Sequence, residues 1–182
     1  MSDVRVLLDR LRAGERPDHE ESLALADVGD TPALAEIAGH LRDLGHRNTV
    51  TYSRKVFIPL THLCRDVCHY CTFARTPKKI DQAYMPVDEV LALCRDGAAM
   101  GCQEALFTLG EKPELRYVAA RKALAEMGYD STLAYLQDVA SRVLEETGML
   151  PHINAGCMTA AEIAGLRTVS ASMGIMLESA SP

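Results

Sequence analysis

Lys55-Val56-Phe57-Ile58-Pro59-Leu60-Thr61-His62-Leu63-Cys64-Arg65-Asp66-Val67-Cys68-His69-Tyr70-Cys71 is the stretch on which the reading of the fold turns. Val56 to Leu60 has the composition of a strand. Pro59 has no N–H to give to a ladder, which places that strand at a sheet edge. Directly after it come three cysteines, spaced four and then three positions apart. Downstream, strand and helix patterns alternate. Val87 to Met100 reads as a helix, with Pro86 near its start, Asp88 and Glu89 in its first turn and Gly101 closing it. Ala105 to Leu109 is a second strand, ending at Gly110. A helix over Leu115 to Met127 stops at Gly128. Another spans Thr132 to Thr147, with Leu133, Leu136, Ala140, Val143 and Leu144 as its apolar stripe and Gly148 after it. His152 to Ala155 is a short third strand. Thr159-Ala160-Ala161-Glu162 has the form of a capping box and opens a further helix. Val169 to Met176 reads as a fourth strand.

Strands separated by helices imply right-handed crossovers and a parallel sheet. Both a doubly wound sheet and an α/β barrel satisfy that pattern. No Gly-x-Gly-x-x-Gly follows a strand and no phosphate loop is present, which counts against a nucleotide-binding doubly wound fold. A complete eight-stranded barrel takes about 250 residues, and only about 130 follow the first fifty. The expectation is therefore an incomplete (β/α) barrel over residues 51–182, preceded by a helical lead-in over residues 1–50 that packs on the barrel segment. In the lead-in, Val6, Leu7, Leu8 and Leu11 fit one helix, and Leu34, Ile37, Ala38 and Leu41 fit another. Thr31 reads as the N-cap of the second, with Pro32 in its first turn and Gly45 as its stop.

Composition narrows the functional classes. The chain has 182 residues, 48% of them hydrophobic, enough to bury a core, and a formal net charge of -6. An acidic balance argues against a nucleic-acid or anionic-membrane surface. No run approaches the roughly eighteen apolar residues of a membrane-spanning helix. Met1 to Arg12 interleaves Asp3, Arg5, Asp9 and Arg10 with leucines, unlike a secretory leader. The expected compartment is the cytoplasm, where six cysteines point to metal, catalysis or burial rather than to a disulfide framework.

Cys64, Cys68 and Cys71 lie where a parallel barrel carries its reactive loops, at the carboxyl end of a strand. Thiolates suit iron–sulfur clusters, zinc or copper(I). A closed structural zinc site is nearly always four-coordinate, whereas a 4Fe–4S cube held by three cysteines leaves one iron open. The alternatives are a zinc site completed by His62 or His69, and a chance Cys68–Cys71 pair with Cys64 merely buried. Cys94 falls on the apolar face of its helix and Cys102 in a turn. Cys157, after the third strand, stands near the expected pocket.

The spacing of the cysteine loop, with an aromatic residue before its last cysteine, resembles the signature of the radical S-adenosylmethionine enzymes. That resemblance implies a 4Fe–4S cluster on Cys64, Cys68 and Cys71, with S-adenosylmethionine chelated by the fourth iron and Tyr70 against its adenine. Thr108-Leu109-Gly110-Glu111 is similar to the family's Gly-Glu motif, which implies that Gly110 and Glu111 hold the methionine ammonium. Ser172 and Glu178, near the end of the fourth strand, become candidates for ribose or substrate, and Met173 and Met176 read as core or pocket lining. Lys55 to Ala74, Glu104 to Glu111, Gly128 to Leu133 and Ser170 to Gly174 further resemble the 7,8-didemethyl-8-hydroxy-5-deazariboflavin synthases. The resemblance implies a lyase that closes the deazaflavin ring of a tyrosine–diaminouracil adduct with loss of ammonia. Its implied partners are a sister radical enzyme, or the C-terminal half of a fused one, and an electron-donor protein. The competing expectations are the sister enzyme that makes the adduct, and an inactive fragment or zinc-binding remnant.

Overall fold

A computed structural model describes residues 4–176, so Glu178, one of the candidates above, lies outside the described residues. The chain divides into two compact units, Met1–Tyr52 and Ser53–Pro182. The first holds helices α1 (Val4–Arg12), α2 (His19–Ala24) and α3 (Thr31–His46) around a small core of Leu7, Leu11 and Ile37.

The second unit is the α/β part. Its order is β1 (Lys55–Thr61), α4 (Val87–Ala99), β2 (Glu104–Leu109), α5 (Val118–Met127), α6 (Thr132–Thr147), β3 (Leu150–Asn154), α7 (Ala160–Leu166) and β4 (Ser172–Met173). Every pairing is parallel, and the strands lie side by side in chain order, β1-β2-β3-β4. A doubly wound sheet reverses direction at a switch point. Here each crossover advances the same way, which is the winding of a barrel. β1 is an edge strand, as Pro59 requires, and its ladder to β2 shifts register between Pro59 and Thr61. Its outer side is not left bare, because the Met85 N–H donates to the Leu60 carbonyl at 2.9 Å.

The sheet has one covered and one open face. Val56, Ile58, Leu60, Ala105, Phe107 and Ile153 are buried in the core with Val90, Leu91 and Cys94 of α4 and the α6 stripe of Leu133, Leu136, Val139, Ala140 and Val143. On the alternate positions Phe57 is exposed and Leu106, Thr108, His152 and Asn154 are half-buried. Burial pushes the Cys94 thiol up to about 11, so it is a core group rather than a reactive one. Among the described residues no helix is long and apolar enough to cross a membrane.

Several boundaries differ from the sequence reading. The N-cap of α3 is Asp30, which accepts from the Ala33 N–H at 3.0 Å, and the helix runs through Gly45 to His46. α2 has no counterpart in the expected elements. The helix expected from Leu115 begins as a short 3-10 turn over Pro113–Leu115, and α5 proper starts at Val118. β4 is two residues long instead of eight. Val169 N–H donates to the Leu166 carbonyl at 3.1 Å and Ser170 Oγ to the same carbonyl at 2.7 Å, so the first part of the expected strand is taken up in the exit turn of α7.

A buried polar chain fixes α6 to the loops that precede it. Thr132, with no exposed surface, donates its hydroxyl to Glu114 Oε2 at 2.6 Å, and its N–H faces Glu114 Oε1 at 3.3 Å. The one hydroxyl proton of Thr132 is thereby used, so Tyr84 must be the donor in the 2.6 Å Tyr84–Thr132 contact. Burial pushes the Tyr84 phenol well up, keeping it neutral. Thr132→Val strands the Tyr84 hydroxyl and removes the hydroxyl bond to Glu114, and is expected to cost about 1–3 kcal/mol. Thr132→Ser should recover most of that, read as urea unfolding midpoints of the three proteins.

Candidate metal and cofactor site

The carboxyl ends of all four strands open onto one cavity of about 500 Å³. Cys64, Cys68, Tyr70 and Cys71 line it from the loop after β1, and Thr108 to Glu111 from the end of β2. Asn154, Gly156 and Cys157 follow from β3, and Ile175 and Met176 from beyond β4. An adjoining pocket of about 360 Å³ is lined by Cys157, Met158, Ile163, Met173, Gly174 and Ile175 and is apolar. This is the end of a parallel sheet at which ligands bind.

The cysteine loop is tied at its base. Thr61 Oγ1 donates to the Ala83 carbonyl at 2.6 Å and accepts from the Leu63 N–H at 3.1 Å. His62 Nδ1 lies 3.0 Å from the Phe73 carbonyl, the two rings are 4.4 Å apart, and the Arg75 N–H donates to the His62 carbonyl at 2.8 Å. These contacts join the residues just before Cys64 to those just after Cys71. Within the loop, the Cys71 N–H donates to the Cys68 carbonyl at 3.0 Å. Cys64 is half-buried, and Cys68 and Cys71 are exposed. The three thiols share one cavity wall, although among the described residues no three His, Cys, Asp or Glu side chains are grouped closely enough to hold a metal ion as they stand. The donor set still suits a soft metal centre, and the Glu111 N–H donates to Cys64 Sγ at 3.3 Å, which seats that sulfur against the exit turn of β2.

Gly110 and Glu111 bring the loops together. The Gly110 N–H donates to the Thr61 carbonyl at 3.0 Å, and a Cβ at this position would overlap the Leu63 carbonyl. Only glycine lets β2 leave the sheet that close to the cysteine loop. Glu111, 9% exposed, accepts from the Arg65 N–H through its own carbonyl at 2.9 Å. Its carboxylate takes the Arg65 guanidinium on Oε1 and the Cys157 N–H on Oε2, the latter at 2.8 Å. That carboxylate in turn raises the pKa of Arg65. Gly156, at φ 77°, has no room for a Cβ beside the Glu111 carboxylate. The family resemblance gives Glu111 one task, binding an ammonium; the structure adds that it bridges the loops after β1, β2 and β3.

Tyr70, Gly110 and Glu111 all line the cavity. Ser172 does not: it is exposed, and its Oγ lies 2.6 Å from His152 Nδ1 on the neighbouring strand. Met173 and Met176 line the two cavities, and Cys102 lines a separate pocket. Arg65, Asn154 and the His62–Phe73 tie carry no signal of their own in the sequence, although Arg65 lies inside the cysteine loop and Asn154 ends β3.

No protein-family model matches the chain. Curated relatives do. FO synthase of Mycobacterium leprae is 47% identical over 196 residues, covering 99% of this chain and 23% of that protein. FO synthase of Nocardia farcinica is 50% identical over 188 residues, covering 97% and 22%. The 7,8-didemethyl-8-hydroxy-5-deazariboflavin synthase of Methanopyrus kandleri is 49% identical over 129 residues, covering 71% and 39%. The chain is thus a relative of the FO synthases over nearly its whole length, and it spans less than a quarter of theirs. Among solved structures, methylornithine synthase PylB superposes with a TM-score of 0.66 at 20% identity, covering 93% of this chain and 46% of that one. The FeFe-hydrogenase maturase HydG from Carboxydothermus hydrogenoformans gives 0.67 at 20% identity, covering 93% and 37%. The fold is therefore the expected one, an arc of a parallel (β/α) barrel of the kind found in those two structures.

Gly110→Ala is expected to cost about 1–3 kcal/mol by forcing the loops apart, measured by urea unfolding. A second outcome concerns pH. Lys112 Nζ contacts both oxygens of Glu162, at 2.8 and 2.9 Å, and with the Thr159 N–H holds the Glu162 carboxyl down at about 2. The stabilisation from a lowered pKa is complete above the ordinary carboxylate value of about 4.3 and is lost as pH falls from there toward 2. The difference in stability between the wild type and Lys112→Met, at most about 1 kcal/mol for a partly exposed pair, should shrink across that window in thermal melts.

Proposed function

We propose that this chain carries the cluster-binding end of a radical S-adenosylmethionine enzyme of deazaflavin biosynthesis. In this reading the enzyme closes the 7,8-didemethyl-8-hydroxy-5-deazariboflavin ring from a tyrosine–diaminouracil adduct with loss of ammonia. The observation that supports it most is the cavity at the carboxyl ends of the strands. There Cys64, Cys68 and Cys71 meet the Gly110-Glu111 turn, in a chain 47–50% identical to FO synthases.

Cys64, Cys68 and Cys71 are the residues that would hold a 4Fe–4S cluster, leaving one iron for S-adenosylmethionine. When bound, that group supplies the electron that cleaves the sulfonium to methionine and a 5′-deoxyadenosyl radical. The Glu111 N–H donates to Cys64 Sγ and so orients that ligand. Each Glu111 oxygen accepts one bond from the protein and keeps a further lone pair, which suits a methionine ammonium at the cavity wall. Tyr70 offers its ring to an adenine. The pocket of Met158, Ile163, Met173 and Ile175 adds an apolar wall beside the reacting groups. Ser172, exposed and bonded to His152, remains the candidate for a ribose or substrate hydroxyl. The adduct comes from the sister radical enzyme and the electron from a donor protein, and a thiolate site of this kind calls for the reducing cytoplasm.

Anaerobic reconstitution with iron and sulfide should load about four of each per chain. Cys64→Ala, Cys68→Ala and Cys71→Ala should each abolish cluster iron, while Cys94→Ala and Cys102→Ala retain it. Full iron content in Cys68→Ala, or zinc in place of iron, would contradict the proposal.

A further inference from the structure

We propose that Arg65 is a positioning residue: by clamping the nearly buried Glu111 carboxylate it pins the cysteine loop across the end of β2 and keeps Cys64 seated against the Glu111 N–H. The inference deepens the proposed function, since it rests on reading Cys64 as a cluster ligand. Arg65 sits next to Cys64 and makes two contacts with Glu111. Its N–H donates to the Glu111 carbonyl at 2.9 Å, and its guanidinium binds Oε1. Between those contacts the Glu111 N–H reaches Cys64 Sγ at 3.3 Å. Three links therefore run between one dipeptide, Cys64-Arg65, and one residue of β2's exit turn.

Exposed ion pairs hold little. This one differs because it is asymmetric: the Arg65 side chain is 38% exposed and that of Glu111 10%. A carboxylate that far out of water needs its partners, and removing the Arg65 guanidinium takes away its charged one, leaving the Cys157 N–H on Oε2. Its rotation toward solvent would disturb the turn that carries the N–H held against Cys64. Arg116 strengthens the same junction, donating from Nη1 to the Arg65 carbonyl at 3.0 Å. Cys68 and Cys71, further along the loop, are exposed, whereas Cys64 is half-buried beside Glu111, so loosening the brace acts first on Cys64.

The test is the rate at which each cysteine of the metal-free protein is alkylated by iodoacetamide, read by peptide mass spectrometry. At about pH 9.5 ordinary thiols are mostly ionised, so differences report access rather than charge. Arg65→Ala is expected to speed Cys64 about tenfold while Cys68 and Cys71 stay within about twofold. Glu111→Gln should do the same, and the double variant should be no faster than either single, as for two halves of one interaction. Arg65→Lys, which restores the charge without the fork, should fall between wild type and Ala. An unchanged Cys64 rate in Arg65→Ala, a double variant whose effects multiply, or equal acceleration of all three cysteines would each overturn the proposal. Because the assay reads thiols without metal, its failure is distinct from a failure to take up iron, which is measured separately on the wild-type chain.

Discussion

One carboxylate holds the working end of this sheet together. Glu111 leaves β2 where the backbone passes beneath the cysteine loop, a passage open only because Gly110 has no Cβ to strike the Leu63 carbonyl. Its side chain then reaches Arg65 in the loop after β1 and the Cys157 N–H in the loop after β3. Three loops that are up to 92 residues apart in sequence (65 to 157) share a single buried acceptor. Lys112, the next residue, extends the junction to the start of α7 through Glu162. The cavity keeps its shape to the degree that this junction does.

The sheet sets where the junction can form. Parallel strands in sequential order send every exit loop to the same end, so groups that never meet in sequence converge there without any special device. Helices cover one face with Leu, Val and Ala, and the α6 N-terminus is fastened by Thr132 and Glu114. The rigid part is therefore behind and below the cavity, and the chemistry-bearing residues are on loops that a fixed scaffold positions.

Much of this is legible in the sequence because it is local. A strand followed directly by a Cys-rich loop, a Gly-Glu pair at a strand end, a proline that demands an edge and a Thr-x-x-Glu capping box each carry their signal within a few residues. All four are found where expected. The features that the sequence conceals are either weak locally or long-range. α2 has a capping box between Asp18 and Glu21 but buries no residue, so it has no apolar stripe to announce it. β4 is short because Ser170 turns back onto α7, which the apolar composition of Val169 to Met176 conceals. The partners of Glu111 lie 46 residues away on either side, and no spacing rule pairs them. Ser172 reads as a cavity group by position and is instead used by His152 across the ladder.

The central claim is that three thiolates on one wall of this cavity leave a metal coordination position for a small-molecule ligand. Electron paramagnetic resonance of the anaerobically reconstituted, dithionite-reduced chain tests it most directly, recorded before and after adding S-adenosylmethionine. The account predicts a reduced 4Fe–4S signal whose g-values shift on addition, with hyperfine coupling to a labelled methionine amino nitrogen. A cluster signal that S-adenosylmethionine leaves unmoved, or no cluster signal at all, would contradict it.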